Sequence, residues 1–469
     1  MNSKIKEFIR NFSYTLSSNL VTMVVSALTV FIIPKFLGIS DYGYWQLFLF
    51  YSSYVPFLQF GWTDGIYLRY GGLEKRDLDK KLFFSQFISL LTIQILISLL
   101  ILTLSNNYND DVQKLAIIRL TSVYMVLVNT RYFFTYILQA TNRFKEYSRI
   151  IIIDRFFYVI LISLAIVIRT ISFKYLIYAD LVSKTMSLLL SVYICKDIAI
   201  HSIRSLSINI GEIILNIKAG IQVMFANTAG MLIIGIIRLG IEKAWDVATF
   251  GKISLTLSIS KFMMIFINAV GIVMFPVLRR TDVEKLPVIY KTLRNVYSLI
   301  IFAVLALYYP MREFLVLWLP EYSDSLIYMA LLFPMSVYEG KMSLIINPYL
   351  KTLRKESVLL RINLIGLLFG GIASIVSTII LKNLYAAVIS IVLVLAIRTI
   401  ISDVILSKIL NLKYLESITV ESFLVVFFIA LGLFQNTLIS LLLYLSLYLF
   451  YVLRNKDEIL KFKKLINLK

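Results

Sequence analysis

Stretches of about 20 mainly apolar residues recur along this chain from one end to the other. A helix needs about 20 residues to cross the hydrocarbon core of a bilayer, which is about 30 Å thick. The composition agrees, because 59% of the 469 residues are hydrophobic and only 16% are charged. The chain is therefore predicted to be an all-α integral membrane protein. Its basic start has no small-residue cleavage pattern behind it, so no removable signal peptide is expected.

Fourteen segments have the length and apolarity of membrane spans, and no loop between them is long enough to hold a soluble domain. The spans are predicted at residues 12–33, 43–66, 82–105, 115–140, 149–168, 172–195, 219–240, 249–278, 291–310, 326–350, 358–380, 384–409, 419–434 and 436–453. The longest loop divides the first twelve spans into two halves. We therefore expect an N-terminal six-helix bundle at 1–200, a C-terminal six-helix bundle at 201–414, and two appended helices with a basic tail at 415–469.

Basic residues are concentrated in alternate loops, and this pattern predicts the orientation of the chain. Because cytoplasmic loops carry the excess of lysine and arginine, both termini are predicted to be cytoplasmic, which requires an even number of spans. The basic loop residues are Lys75, Arg76, Lys80, Lys81, Arg143, Lys145, Arg279, Arg280, Lys285, Lys291, Arg294, Lys351, Arg354 and Lys355. Three tryptophans near predicted span ends, Trp62, Trp245 and Trp318, are expected to lie at the membrane–water interface.

The reactive side chains exclude several classes of function. Cys195 and His201 are the only cysteine and the only histidine, so neither a disulfide within the chain nor a cysteine- or histidine-cluster metal site can form. The net charge of +20 is spread over short loops, so no nucleic-acid partner is expected. The sequence has no glycine-rich phosphate loop and no catalytic constellation. The protein is therefore predicted not to be an enzyme and to use no cofactor.

A lysine in the middle of an apolar hairpin is the most informative polar residue. The hairpin is predicted from helices at 220–240 and 249–278, joined by a polar turn at 241–248, and Lys261 lies near the centre of the second helix. A lysine at the membrane centre costs roughly 3 kcal/mol, so Lys261 is expected to face protein or a water-filled cavity. The polar stripe around it is typical of a helix that lines a transport cavity. The alternative is a packing face on which the lysine finds a partner. The residues sharing its face are Gly251, Ser254, Ser258 and Asn268.

Among the charged residues predicted at membrane depth, bases outnumber acids. This surplus suits an anionic head group and suits a cationic drug poorly. The bases are Arg131, Arg155, Lys184, Arg238, Lys261, Lys341 and Arg398, and the acids are Asp154, Asp180, Glu339 and Asp403. A cationic substrate cavity is predicted to be formed by Lys261, Arg131, Arg238, Lys341, Arg155 and Lys184.

Several of these residues also have a structural interpretation. Asp180 and Lys184 are four residues apart on one helix face and are expected to neutralise each other. Arg155 is close enough to the cytoplasmic turn to snorkel, and Arg238 could anchor the outer end of its span. For Arg131 a cavity role and a packing role are equally supported.

The charged residues of spans 10 and 12 can also form ion pairs with neighbouring residues of the protein. Glu339 is predicted to be a polar cavity residue on one face of span 10 and could counter-charge a neighbouring base, whereas Lys341 lies off that face. Arg398 and Asp403 in span 12 are expected to help hold the bundle together. The residues that share the face of Glu339 are Ser336, Ser343 and Asn347.

Span 1 carries a polar stripe without a carboxylate, which counts against a cation antiporter that uses an acid there. The hydroxyl groups suit contact with sugar or water, and they equally suit close helix packing. Asn19, Thr22 and Ser26 are the predicted cavity residues of this stripe. The whole stripe comprises Thr15, Ser18, Asn19, Thr22, Ser26 and Thr29.

The two halves repeat a short signature at their first hairpins. Leu37-Gly38-Ile39 after span 1 and Leu239-Gly240-Ile241 after span 7 are each followed by a polar turn and an aromatic-glycine pair, Tyr42-Gly43 and Phe250-Gly251. A duplication is therefore predicted, and duplicated transporters place the substrate site between their repeats.

With these features the chain resembles the multidrug/oligosaccharidyl-lipid/polysaccharide (MOP) flippase superfamily. The resemblance rests on the two six-helix halves, on the pattern Pro34-x-x-Leu37-Gly38 with Tyr42-Gly43 and its echo, on Leu138-Gln139-Ala140 before a basic turn, and on the two appended helices. It implies a MATE-like fold, and the most similar branch is the Wzx-type O-antigen flippases. The chain departs from many relatives at Ile237, where they carry the acid of an acid–base pair.

The resemblance implies a flippase that moves an undecaprenyl-diphosphate-linked oligosaccharide across the bacterial cytoplasmic membrane, from the cytoplasmic to the periplasmic leaflet. It further implies alternating access through a central cavity, with coupling to H⁺ or Na⁺. The implied partners are the lipid-linked glycan, the lipid bilayer, a polysaccharide polymerase and the chain-length machinery.

Three other functions are alternatives to this one. A peptidoglycan-precursor flippase would also bind a lipid diphosphate. A multidrug or cation antiporter of the same superfamily would need a net acidic cavity. An O-antigen polymerase or membrane glycosyltransferase would need a large external loop or an extramembrane acidic site, and the short loops offer neither.

Overall fold

The chain folds almost entirely into α-helices in the computed structural model, which describes residues 3–106, 111–202, 206–279, 282–412, 415–434 and 436–455. No β-strand occurs within these ranges. The helices are α1 (Ser3–Phe36), α2 (Ile39–Tyr54), α3 (Trp62–Arg69), α4 (Lys80–Ser105), α5 (Val112–Ala140), α6 (Phe144–Ile168), α7 (Phe173–Ile194), α8 (Lys196–Ala199), α9 (Ile210–Ala244), α10 (Val247–Arg279), α11 (Leu286–Leu305), α12 (Tyr308–Trp318), α13 (Leu326–Leu332), α14 (Met335–Lys341), α15 (Asn347–Thr352), α16 (Glu356–Ile375), α17 (Leu384–Ile409), α18 (Leu415–Gly432) and α19 (Thr437–Arg454).

The length and apolarity of these helices confirm the predicted class, an all-α membrane protein. In the described part of the chain nine helices are long and apolar enough to cross a membrane, and two bent helix pairs would bring the number to eleven. The three remaining predicted spans fall on α2 and α3 together, on α10, and on α18. Every one of the fourteen predicted spans therefore coincides with helical residues.

Backbone contacts divide the chain into two units, Met1–Asn227 and Thr228–Lys469. The boundary lies inside α9, so the first part of this helix belongs to unit 1 and the second part to unit 2. The last two helices, α18 and α19, belong to unit 2. The domain limits expected from loop lengths, at residues 200 and 414, stay a prediction.

The second predicted span is broken in the middle. After α2 the chain forms a short 3₁₀ helix, Val55–Gln59, and then takes left-handed backbone angles at Phe60 (φ 55°) and Gly61 (φ 76°) before α3 begins. Pro56 has no N–H to continue an α-helix, and Gly61 adopts positive φ at little cost, so this sequence favours the break. A break at this depth leaves backbone carbonyls that need hydrogen-bond donors.

Three buried amide side chains bond the broken segment. Asn129 Nδ2 donates to the Val55 carbonyl at 3.2 Å, and Gln94 Nε2 donates to the Leu58 carbonyl at 2.9 Å. The amides also bond one another, from Gln59 to Asn129 at 3.0 Å and from Asn129 to Gln94 at 2.7 Å. We call Gln59, Gln94 and Asn129 the amide network. It supplies donors to two backbone carbonyls of the broken segment, those of Val55 and Leu58.

The break also turns α3 inward, so the prediction of an interfacial Trp62 is wrong. Its side chain is 2% exposed and lies in an aromatic cluster with Phe83 and Phe133. The indole Nε1–H donates to Gln86 Oε1 at 3.0 Å. A straight span would have placed this residue near a membrane surface. The new helix that starts at Trp62 buries it instead.

Glycines bring α3 and the first part of α9 into backbone contact within unit 1. A methyl group added to Gly65 would lie 1.8 Å from the Asn216 carbonyl oxygen, and one added to Gly220 would lie 2.0 Å from the Gly61 carbonyl oxygen. Polar contacts flank this approach, since Arg69 is 2.7 Å from Glu212. Small residues at a helix–helix contact allow this close packing in membranes.

The tenth predicted span is bent as well. The helical segments Pro320–Leu332 and Met335–Thr352 meet at an angle of 42°, and a π-helical turn, Met342–Ile346, interrupts the second segment. Pro334 at the bend explains the first irregularity, because proline lacks the N–H of an interior helical residue. The π-turn changes the angular spacing of residues on either side of it. The predicted common face of Glu339, Ser343 and Asn347 assumed a regular helix throughout.

The appended helices α18 and α19 pack on α11 and α12. The phenol groups of Tyr444 and Tyr448 on α19 donate to the carbonyls of Phe302, at 2.8 Å, and Leu299, at 3.0 Å. On α18, the Gly432 carbonyl accepts a hydrogen bond from Tyr308 at 3.2 Å. These helices are therefore an integral part of unit 2.

Candidate cation site in the α9–α10 hairpin

The hairpin that carries Lys261 has a tighter turn than predicted. The expected polar turn at 241–248 is wrong, because α9 continues to Ala244 and α10 begins at Val247. Glu242 and Lys243 favour helix and extend α9. Asp246 caps α10, accepting a hydrogen bond from the Thr249 N–H at 2.7 Å. The tight turn brings the two helices side by side.

Arg238 crosses from α9 to α10. Its guanidinium donates to the Ser254 hydroxyl at 2.8 Å, and its central carbon lies 5.1 Å from the centre of the Phe250 ring. Ser254 is 1% exposed. The guanidinium thus lies against the polar stripe of α10, as the cavity interpretation requires, although Arg238 is near the end of its span.

Lys261 lies seven residues after Ser254 on α10, with Ser258 between them. The Ser258 hydroxyl donates to the Ser254 carbonyl at 2.8 Å, which is a hydrogen bond within α10. Both Ser258 and Lys261 are half-buried. Lys261 forms no ion pair with a residue in the described ranges. It is repelled by Arg238 and attracted by Glu339. The side chain of Asn268, the last predicted member of this stripe, lies outside the described residues.

The register of the hairpin explains why Glu339 acts on Lys261. Arg238 on α9 and Ser254 on α10 face each other, and the two helices are antiparallel. Eight residues before Arg238 and seven residues after Ser254 the chain therefore reaches nearly the same height along the hairpin. These steps lead to Gly230 and Lys261. A methyl group added to Gly230 would lie 2.7 Å from both Glu339 carboxylate oxygens. Glu339 therefore lies near the level of Lys261, about 10–12 Å along the helix axis from Arg238.

The same carboxylate is paired with a second base. Arg398 Nη1 is 2.9 Å from Glu339 Oε1, and Arg398 Nε donates to Asn363 Oδ1 at 3.0 Å. The prediction that Glu339 counter-charges a neighbouring base is thus confirmed. Arg398 is 3% exposed, whereas the Glu339 side chain is 20% exposed. We call Arg238, Ser254, Ser258, Lys261, Glu339 and Arg398 the cation site. The name refers to its cationic side chains and not to a bound cation.

Lys341, another predicted cavity base, lies in a separate buried cluster. Its ammonium is paired with Asp403 and, at 2.8 Å, with Glu421 of α18. Arg294 is 3.5 Å from both of these carboxylates, and Tyr290 donates to Asp403. Two bases thus face two acids, so the charge of Lys341 is compensated within the protein. The expectation that Asp403 helps to hold the bundle together is confirmed by these contacts.

The sequence pattern does not indicate two members of this second cluster. The prediction that Arg294 lies in a basic cytoplasmic loop is wrong, because α11 begins at Leu286 and buries Arg294 completely. Glu421 was overlooked inside a short apolar segment. The spacing of Tyr290, Arg294 and Tyr297 on one face of α11 is the signal that could have found the arginine.

In unit 1 three predicted cavity bases surround one carboxylate. Asp154 is 3.2 Å from Arg131, 2.9 Å from Lys184 and 4.0 Å from Arg155. Lys184 is also 2.9 Å from Asp180, which confirms the predicted i, i+4 pair. Arg131, Lys184 and Asp154 are at most 4% exposed, whereas the Arg155 side chain is 29% exposed. Three bases and two acids leave one positive charge, on the side where Arg155 is accessible.

The stripe on span 1 is only partly a packing face. Ser18 is fully buried and bonds Ser148 of α6 at 3.3 Å. Asn19 is exposed, and Thr22 and Ser26 are half-buried. The structure therefore leaves the three predicted cavity residues of this stripe accessible, while Ser18 fixes α1 to α6.

Known structures share this fold, although sequence comparison finds no relative. No protein-family model matches the chain, and no curated protein matches it by sequence. A solved structure described as the lipid II flippase MurJ in an inward closed conformation matches with a TM-score of 0.65 at 12% identity, covering 96% of this chain and 100% of that one. An inward-facing multidrug resistance MATE family transporter of the MOP superfamily matches with a TM-score of 0.63 at 14% identity, covering 84% of this chain and 94% of that one.

A third match is a MATE transporter in a bent conformation, with a TM-score of 0.57 at 14% identity over 87% of this chain and 96% of that one. These similarities confirm the predicted MATE-like membrane fold. The chain shares its fold with these three solved structures. At 12–14% identity the similarity extends to the fold alone.

Proposed function

We propose that this protein is a flippase that moves an undecaprenyl-diphosphate-linked oligosaccharide from the cytoplasmic to the periplasmic leaflet of a bacterial cytoplasmic membrane. The observation that carries the proposal is Lys261. It is a base at the predicted centre of a membrane span, half-buried, and without an ion-pair partner among the described residues. An ionisable residue at that depth is costly unless it serves a ligand or a water-filled path.

The chemistry around Lys261 favours an anionic ligand that carries sugars. Arg238 provides a guanidinium on the same hairpin, and phosphate oxygens accept hydrogen bonds from both kinds of base. Ser258 adds a half-buried hydroxyl between them, which suits a glycan. A lipid-linked sugar diphosphate combines these two features in one head group.

The fold agrees with a transporter or flippase, since the similar structures are described as a lipid II flippase and as multidrug MATE transporters. A lipid II-like peptidoglycan precursor therefore remains the second candidate, because it is also a lipid diphosphate. A cation exporter is disfavoured by the cation site, in which three bases outnumber one acid. We further propose transport by alternating access, coupling to H⁺ or Na⁺, cytoplasmic termini, and cooperation with a polysaccharide polymerase and chain-length machinery.

Reconstitution into proteoliposomes tests the proposal. The substrate is a fluorescent undecaprenyl-diphosphate oligosaccharide, and a quencher that cannot cross the bilayer reports how much of it occupies the outer leaflet. We expect protein-dependent movement of this lipid, and no movement of a fluorescent phosphatidylcholine in the same vesicles. Movement of a lipid II analogue alone would favour the second candidate. Extrusion of a cationic dye without lipid movement would contradict both.

A further inference from the structure

We propose that Glu339 is a specificity-determining residue that weakens anion binding at the cation site in proportion to the charge of the ligand. This inference rests on the proposed function. The Glu339 carboxylate lies where the positive charges of Lys261 and Arg398 would attract a phosphate group, so it competes with the ligand for these bases. It thereby keeps a multiply charged head group from binding too tightly to be released, as transport requires.

The geometry places this negative charge against one base, Arg398, and within electrostatic reach of a second, Lys261. Glu339 is 2.9 Å from Arg398, lies against Gly230, and acts electrostatically on Lys261. Arg398 itself is fixed by Asn363 and is almost completely buried. The carboxylate is the more accessible partner of the pair. An incoming anion would therefore meet Glu339 before it meets Arg398.

The backbone that carries Glu339 is held in place while its side chain keeps access to the site. The helix α14 lies between the bend at Pro334 and the π-turn. Tyr297 donates to the carbonyls of Ser336 and Val337, at 3.0 and 2.9 Å, and a methyl group added to Gly340 would lie 2.3 Å from that phenol oxygen. With the backbone fixed, a change of the Glu339 charge acts through electrostatics more than through movement of the helix.

If Glu339 has this role, the change in Kd on removing its charge should depend on the charge of the ligand. A fixed negative charge repels an anion by an energy proportional to the number of charges on the anion. Removing it should therefore tighten binding by a constant factor per ligand charge. We take about 5-fold per charge as the expected factor for groups in a partly hydrated site. A purely structural role for Glu339 would change the binding of all anions by the same factor.

The test uses three soluble probes that share a geranyl chain: a geranyl phosphate sugar, a geranyl diphosphate sugar and geranyl diphosphate. They carry roughly one, two and three negative charges at neutral pH, because a terminal phosphate loses its second proton near pH 6. Their Kd values are measured on the full-length detergent-solubilised protein and on E339Q. We expect E339Q to bind them about 5-fold, about 25-fold and about 125-fold more tightly, and to turn over more slowly in proteoliposomes. Equal changes for the three probes, or none, would overturn the inference.

Two further variants keep the result interpretable if E339Q alone is unstable. The double variant E339Q/R398Q removes one charge of each sign, so it should return the charge dependence to that of the unchanged protein. E321Q, at an exposed glutamate of the same unit, should leave all three Kd values unchanged. If the unchanged protein binds none of the probes, the proposed function itself fails. If it binds them without the predicted ordering in E339Q, only this inference fails.

Discussion

Lys261 and Lys341 show how two residues of the same type acquire different roles within one unit. Both are predicted at membrane depth, and the sequence around each is apolar. Lys341 is 3% exposed and is paired with two carboxylates. Lys261 is half-buried and is paired with none in the described ranges. The partners that make this difference come from other helices, so the local sequence does not distinguish the two lysines.

Replacement of Lys261 is therefore expected to affect transport and not folding. K261A should reduce lipid translocation at least about 10-fold, because one lost charge-assisted contact to phosphate corresponds to roughly 1.5–3 kcal/mol. The measurement is the rate of translocation in proteoliposomes with the amount of inserted protein held equal.

Two further substitutions are controls for K261A. K261R keeps the charge and should retain most of the activity, while K243A removes an exposed lysine from the same hairpin and should change nothing. Normal translocation by K261A at normal abundance would remove Lys261 from the mechanism.

At the scale of the helices, most differences between the predicted and the observed structure occur where a helix is broken or bent. The chain breaks spans 2 and 10 near Pro56 and Pro334, and each break changes what the neighbouring residues contact. Trp62 becomes a core residue after the first break, and Glu339 lies on a helix bounded by the second. A hydropathy pattern locates a span but does not report such bends, because the apolar character of the segment is unchanged.

The glycine contact between α3 and α9 gives a prediction at this scale. G65A should lower stability by about 3 kcal/mol, since the added methyl group would overlap the Asn216 carbonyl and separate the two backbones. Thermal unfolding in detergent measures the effect.

Gly371 on α16 provides the matched control, because a methyl group there would meet nothing within 4 Å. G371A should be neutral or slightly stabilising. Equal unfolding temperatures for the two variants would show that the close approach contributes nothing to stability.

At the scale of the whole molecule, the appended helices are tied to unit 2 by charge as well as by packing. Glu421 of α18 lies 2.8 Å from Lys341 and 3.5 Å from Arg294, which are both almost fully buried. From the sequence, α18 and α19 are predicted to be two appended helices. They instead complete the charge balance of the second cluster.

Neutralising Glu421 should destabilise the protein. E421Q leaves Arg294 and Lys341 with Asp403 as the one acid of this cluster, and breaking a buried pair in this way costs about 3 kcal/mol or more. Its thermal unfolding temperature in detergent should fall clearly below that of E313Q, which changes a glutamate outside the cluster. Unfolding of both variants at the same temperature would mean that Glu421 does not stabilise α18.

The sequence predicted the class, the positions of the spans and the MATE-like fold, because these depend on hydropathy and on short signatures. It also predicted the Asp180–Lys184 pair, which is local to one helix. It did not predict the partners of Lys341 or Asp154, since long-range ion pairs depend on how helices pack. The burial of Arg294 was missed because a base near a span end resembles a loop residue.

The amide network has a consequence for the response of the protein to its membrane. A charge displaced across a membrane potential exchanges about 2.3 kcal/mol per 100 mV with the field, whereas a neutral amide that keeps its place exchanges almost none. Amides also do not titrate between pH 4 and 9. The break in span 2 is bonded by the neutral amides of Gln59, Gln94 and Asn129. Its hydrogen bonds are therefore indifferent to voltage and acidity, so an energised membrane would act on the charged residues of the molecule and leave this bend intact.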